Sequence, residues 1–165
     1  MEEELKKKKA LLVEKLGIHL ESKDNLAPVE ARILSYIMLT GKQGSTFEDL
    51  VSNLSASKST VSTHLNHLQD LKKVEYFTKT GDRKKYFILN RDTILQGVNS
   101  LVNHWEEQKQ LHLEIMDFKI NANKALEEDT KFILDFHEDY IKFLNEATQS
   151  ISKLRTNIIQ KTTKF

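Results

Sequence analysis

Cysteine is absent from this chain, proline occurs once and glycine five times. Without thiols there are neither disulfides nor thiolate metal sites. So few breakers, beside 39% hydrophobic and 30% charged residues, point to a soluble and mostly helical protein. No apolar run approaches the length a bilayer requires. The opening MEEELKKKKALLVEKLG carries a charged run but no apolar core of the kind a signal peptide needs, so a cytoplasmic location is expected. Also missing are a nucleophile elbow, a phosphate-cradling glycine loop and paired carboxylates above the charge background; neither an enzyme nor a cofactor is expected. His64 and His67 stand three apart, and His104 and His112 two turns apart near Glu107 and Glu114. No HExxH motif gathers the three or four ligands a metal needs, so no metal site is expected. At 165 residues the chain is one domain, or one small domain with an extended appendage for a partner.

What is present is unevenly spread charge. The formal total is only +1, yet residues 55–91 hold eight basic residues against three acidic ones, while the flanking segments are slightly negative. Attraction to a polyanion would therefore act locally, in the middle of the chain.

Helical periodicity comes first. Leu5, Leu12, Leu16 and Leu20 mark an amphipathic helix over roughly 3–20. A second helix starts near Ala27-Pro28 and runs to Gly41, with proline in its first turn, where a missing N–H costs nothing. Ser45 with Glu48 three residues on reads as a capping box before a short helix striped by Phe47, Leu50, Val51 and Leu54. The polar turn SASKS then offers Ser57 as a further N-cap. Two short helices around a tight polar turn have the rhythm of a helix-turn-helix.

The second of these helices, SKSTVSTHLNHLQDL (57–71), is unusual in its outer face. Val61, Leu65, Leu68 and Leu71 form the buried stripe. A rotation of about 100° per residue sets Ser59, Thr63, Asn66 and Asp70 opposite Val61, with Ser62 and His67 on the flanks and His64 nearer the buried edge. Small hydroxyls are poor helix formers, and a solvated face has no need of them. They do permit close approach to a DNA groove, where they bond to phosphates or base edges, and asparagine pairs with adenine. Ser57 and Lys58 open the helix, whose first-turn N–H groups are free to meet phosphate.

After Leu71 the period changes. Residues 72–78 and 84–89 are rich in aromatic and β-branched types and flank a short polar connection with glycine, the pattern of a β-hairpin. Arg83 lies at its tip, with Lys79, Lys84 and Lys85 beside it. A planar guanidinium suits a narrow minor groove. Asp82 repels phosphate and is expected to fix the loop or orient Arg83. From about residue 92 the chain is helical again. Val98, Leu101, Val102, Trp105, Ile115 and Met116 share a face, residues 121–124 interrupt it, and acidic residues 127–129 begin the last helix. Phe132, Ile133, Phe136, Tyr140, Leu144, Ala147, Ile151, Leu154 and Ile158 then recur at three and four. So long a stripe needs a surface from elsewhere, and a second copy is the nearest source. Trp105, Phe118, Phe132, Phe136 and Tyr140 read as core or dimer seam rather than as an effector pocket.

Four stretches, LAP-x-x-ARILSY (26–36), STFEDL (45–50), SKSTVSTHL (57–65) and GDRKKYF (81–87), resemble in their order the DNA-binding part of the GbsR-like branch of the MarR family of bacterial transcriptional regulators. The resemblance covers under half of the chain. It implies a homodimer with interlocking terminal helices, in which two winged helices read a pseudo-palindromic operator. It maps Ser59, Thr60, Ser62, Thr63 and Asn66 to the recognition helix and Arg83 to the wing tip. It also implies response to a small-molecule effector, which no residue here identifies.

The expected fold is therefore mainly α with a small β-hairpin: a winged helix-turn-helix flanked by N-terminal and long C-terminal dimerisation helices. Residues 1–25 form an N-terminal helix of the dimerisation region, 26–91 the DNA-binding domain and 92–165 the C-terminal helical dimerisation region. The expected DNA-binding set is Ser57, Lys58, Ser59, Thr60, Ser62, Thr63, Asn66, His67, Lys79, Arg83, Lys84 and Lys85. The expected dimer interface is Leu5, Leu12, Leu16, Trp105, Phe136, Tyr140, Leu144, Ala147, Ile151, Leu154 and Ile158. The expected function is a sequence-specific regulator of double-stranded DNA, a repressor. The rival is a winged-helix adaptor that docks other proteins through coiled-coil-like helices.

Overall fold

The computed structural model describes residues 2–162, with side chains through residue 160. The chain divides into two compact units, Met1–Thr93 and Ile94–Phe165. Among the described residues no helix is long and apolar enough to cross a membrane.

The first unit contains α1 (Glu2–Asp24), α2 (Pro28–Thr40), a 3₁₀ turn (Gly41–Gln43), α3 (Phe47–Leu54), α4 (Lys58–Asp70), β1 (Val74–Thr78) and β2 (Lys85–Leu89). Pro28 occupies the first turn of α2, and Gly41 ends that helix at a φ of 72° that only glycine adopts freely. The cap of α3 differs from expectation. Thr46 accepts from the Asp49 N–H at 3.1 Å, and Asp49 accepts from the Thr46 N–H at 2.9 Å. Ser45 cannot serve as that cap, because its backbone pairs in both directions with Phe87 at 2.9 and 2.8 Å. The hairpin thereby gains a short third rung beside its own antiparallel ladder, which runs from Val74 opposite Leu89 to Thr78 opposite Lys85. Helix α4 starts as expected, with the Ser57 hydroxyl accepting from the Thr60 N–H. Its stripe is one residue shorter than expected: Leu71 follows the helix and is 42% exposed, and Lys72 then turns left-handed at φ 55°.

Ile33, Leu34 and Ile37 of α2, Leu50 of α3, Val61, Leu65 and Leu68 of α4, and Val74 and Phe87 of the hairpin close one apolar core. Burying a side chain of this size contributes about 1.5–3 kcal/mol. Helix α1 lies on α2 through Val13, Gly17 and Leu20. A Cβ at Gly17 would stand 3.1 Å from Arg32 Cγ, so glycine lets the two helices approach. Arg32 pins them together, donating to Glu14 at 2.7 Å and Glu21 at 3.0 Å. The element order and the hairpin are those of a winged helix-turn-helix, as expected.

The second unit is an antiparallel pair of long helices. Helix α5 (Asp92–Asn123) opens at the end of the first unit and continues through the second; a 3₁₀ turn (Glu128–Thr130) and α6 (Asp135–Thr162) follow. Tyr140 donates to Gln108 at 2.8 Å, and Arg155 to Asn99 at 2.8 Å. The acidic residues 127–129 do not begin the last helix, which starts at Asp135. Phe132 and Ile133 therefore stand outside it. The Asn123 side chain binds the backbone of Phe132 through both its N–H and its C=O, at 2.8 and 3.0 Å, and so holds this stretch extended. Few side chains of this unit are buried. Val98, His137 and Leu144 are, whereas Phe118, Ile133, Phe136, Phe143 and Leu154 are each at least half exposed.

Candidate nucleic-acid interface

The outer face of α4 is where the sequence places it. Val61, Leu65 and Leu68 point into the core, while Ser59, Ser62, Thr63, Asn66, His67 and Asp70 are exposed, and Thr60 and His64 are half-buried between the two faces. The exposed residues are not equivalent. Ser57 Oγ lies 2.9 Å from Ser59 Oγ and 2.8 Å from Thr60 Oγ1, so the first turn carries a small hydroxyl cluster. Thr63 donates to the Ser59 carbonyl at 3.0 Å, the back-bond by which a mid-helix threonine satisfies itself. Ser62 and Asn66 make no side-chain hydrogen bond among the described residues, which leaves their full capacity for a partner.

Sequence reasoning missed what holds this helix in place. Glu30 of α2 is 3% exposed, and its carboxylate faces α4. His67 Nδ1 lies 2.5 Å from Glu30 Oε1, and His64 Nδ1 lies 3.9 Å from Oε2. A buried carboxylate needs partners, and here the i,i+3 histidines provide them from the flank of α4. More than half of the His67 side chain remains exposed, so its outer nitrogen is still presented outward. The only local clue was a lone acidic residue inside the apolar α2. Among the described residues no group of three or more His, Asp or Glu is placed to hold a metal.

The wing is braced from within. Asp82 accepts from the Lys84 N–H at 3.0 Å and from the Tyr86 hydroxyl at 2.6 Å. The tyrosine bond, then the backbone bond and the nearby lysines, hold the Asp82 carboxyl below its ordinary range, and the same bond pushes the Tyr86 hydroxyl up. Asp82 thus fixes the loop. Arg83 and Lys84 are exposed, and neither side chain makes a hydrogen bond or an ion pair among the described residues. Lys85 lies 4.1 Å over the Tyr76 ring. With Phe47 and Phe87 these three basic residues border an open groove of about 360 Å³ between α3 and the wing. Lys79 is set apart from them. Its ammonium lies 3.7 Å from the centre of the Tyr86 ring and lines a different cavity, with Lys9 and Ser45.

In the expected dimer set, Leu5, Leu12, Phe136 and Leu154 are exposed. Leu16, Trp105, Tyr140, Ala147, Ile151 and Ile158 are half-buried. Leu144 is 1% exposed, already covered by its own chain, and so offers little to a second copy.

No family model matches the chain. It is similar to the HTH-type transcriptional regulator MmpR5 of Mycobacterium tuberculosis, with 26% identity over 99 residues, 60% of this chain and 59% of that protein. The match therefore spans less than two thirds of that relative's length. A solved structure described as a transcriptional regulator shares the fold, with a TM-score of 0.51 and 20% identity over 93% of this chain and 99% of its own. The S. aureus MepR–DNA complex is a looser likeness, too remote to argue from, with a TM-score of 0.40 and 22% identity over 85% and 87% of the two chains.

Proposed function

We propose that this chain is a transcriptional regulator that binds double-stranded DNA sequence-specifically, acts as a homodimer and represses by occluding a promoter. The observation that carries this reading is the exposed, small and partly unbonded face of α4 beside a wing whose Arg83 and Lys84 side chains make no hydrogen bond or ion pair among the described residues. Helix α4 enters the major groove. Asn66 and Ser62 read base edges, Ser57, Lys58, Ser59, Thr60 and Thr63 meet phosphate at the entering end, and His67 contributes from the flank. Arg83, Lys84 and Lys85 contact the backbone or the adjacent minor groove. The similarity to MmpR5, a regulator by its description, supports the same reading.

For assembly we propose that the exposed apolar residues of α1 and α6 meet a second copy, with residues 1–25 and 92–165 as the dimerisation regions and 26–91 as the reading domain. Unpaired apolar surface on this scale marks an interaction site. The four sequence motifs resemble those of GbsR-like regulators of the MarR family, and on the strength of that resemblance we propose that an effector of unidentified chemistry tunes binding.

Selection of bound duplexes from a random pool, followed by affinity measurement across salt, tests the proposal. A recovered two-fold-symmetric site and a steep linear fall of log K with log salt are expected. Weak binding without salt dependence would discard the reading and favour the protein-docking adaptor.

A further inference from the structure

A second site lies on the other side of the wing. A cavity of about 310 Å³ opens in the first unit where α1, α2, the Gly41–Gln43 turn, the start of α3 and the loop end of the wing meet. Ser45, 1% exposed, is one of its lining residues, and its side-chain oxygen is the single buried side-chain polar atom without a hydrogen-bond partner among the described residues. Buried hydroxyls are almost always satisfied, so an orphan marks a missing partner. Two ammonium groups share the lining. Lys9 donates to Thr40 Oγ1 at 2.7 Å and lies 4.0 Å from the centre of the Tyr36 ring. Lys79 lies over Tyr86 from the wing side. Neither lysine forms an ion pair among the described residues. Burial also lowers the affinity of Lys9 for its proton, and the nearby Asp49 offsets only part of that cost. The one carboxylate present, Asp49, is engaged by the Thr46 N–H.

We propose that this cavity is a binding site for a small oxyanion, which accepts hydrogen bonds from Ser45 and from the ammonium groups of Lys9 and Lys79. A water molecule would satisfy Ser45 but neither ammonium. The occupant bridges α1 and the loop end of the wing, so its presence restrains the hairpin whether or not the protein binds DNA.

The test uses the full chain, labelled with ¹⁵N and titrated at fixed ionic strength with sodium formate, sodium acetate and sodium phosphate in separate series. Saturable shifts of the Gly44, Ser45 and Lys79 amides are expected. The carboxylates and phosphate distinguish an organic from an inorganic source. Ser45→Ala and Lys9→Gln should each weaken binding by about tenfold or more, as loss of a hydrogen bond to a charged group does. With no anion present, Ser45→Ala should be at least as stable as the parent, since it removes an unpaired hydroxyl. Non-saturating shifts, shifts unchanged in Ser45→Ala, or a Ser45→Ala variant of clearly lower melting temperature would each overturn the proposal. The last result would mean the hydroxyl already has its partner.

Discussion

Gly44→Ala should be among the most damaging single-atom additions to the first unit. Gly44 has φ 73° and ψ 161°, a region that side chains avoid. Holding alanine there costs about 1–3 kcal/mol. The new Cβ would also stand 2.8 Å from Tyr86 Cβ and 3.2 Å from Phe77 Cε1, so β1 and β2 must shift. Overpacking of this kind costs roughly another 1–3 kcal/mol. The stiffer unfolded chain returns about 0.4–1 kcal/mol. The net loss is on the order of 2–4 kcal/mol. Two other glycines separate the contributions. Gly41 has φ 72° but open space around it, so Gly41→Ala carries backbone strain alone. Gly97 is helical with open space, and Gly97→Ala should gain roughly 0.5–1 kcal/mol. Urea unfolding of the three variants at one protein concentration, followed by circular dichroism, gives the comparison. The reasoning fails if Gly44→Ala lies within about 0.5 kcal/mol of the parent, the ordinary scatter of surface substitutions. It fails equally if Gly44→Ala and Gly41→Ala cost the same, because the clash would then be absent.

Four further outcomes are expected. Asn66→Ala should cost about 1–3 kcal/mol at particular base pairs of a selected site; competition with single-pair duplex variants reads this, and uniform weakening would reduce Asn66 to a positioning contact. Arg83→Ala should weaken all duplexes and reduce the salt slope by about one; an unchanged slope removes the wing from the interface. The Thr46 N–H above all holds the Asp49 carboxyl below its ordinary range. Its stabilisation is therefore present above the unfolded value of about 3.9 and lost as pH falls through the depressed folded value. Asp49→Asn should flatten that acid limb in pH-dependent unfolding, and a limb as steep as the parent's would contradict the assignment. Phe136, 65% exposed, should be needed for self-association. Phe136→Glu is expected to sediment as a monomer where the parent is a dimer, whereas a monomeric parent at micromolar concentration would refute the assembly.

What was legible in the chain is what local chemistry decides. Pro28 and Ser57 announce their helices, and the 3.6-residue spacing of Val61, Leu65 and Leu68 separates a buried side from an exposed side. The failures occur where two local solutions compete and a distant contact chooses. Ser45 with Glu48 and Thr46 with Asp49 both fit a capping box, but the bridge from Ser45 to Phe87, more than forty residues on, selects the second. Acidic residues 127–129 and the pair Asp135 and Glu138 both look like a first helical turn, and the clamp of Asn123 on the Phe132 backbone selects the later start. Glu30 was invisible as a brace because its partners lie on another helix. The histidine pair was evident from spacing alone, without the carboxylate that explains it.

The division of labour on α4 has a further consequence. Ser62 and Asn66 make no side-chain hydrogen bond among the described residues, while what positions the helix comes from residues pointing elsewhere: Val61, Leu65 and Leu68 below, Ser57 at the end and Glu30 at the side. Vocabulary and chassis are thus written by different positions. Under the proposed function, lineages of this protein are free to drift toward new promoters by altering the former, with no accompanying debt in foldedness, and a library randomised at residues 62 and 66 should stay well expressed while its preferred sites scatter.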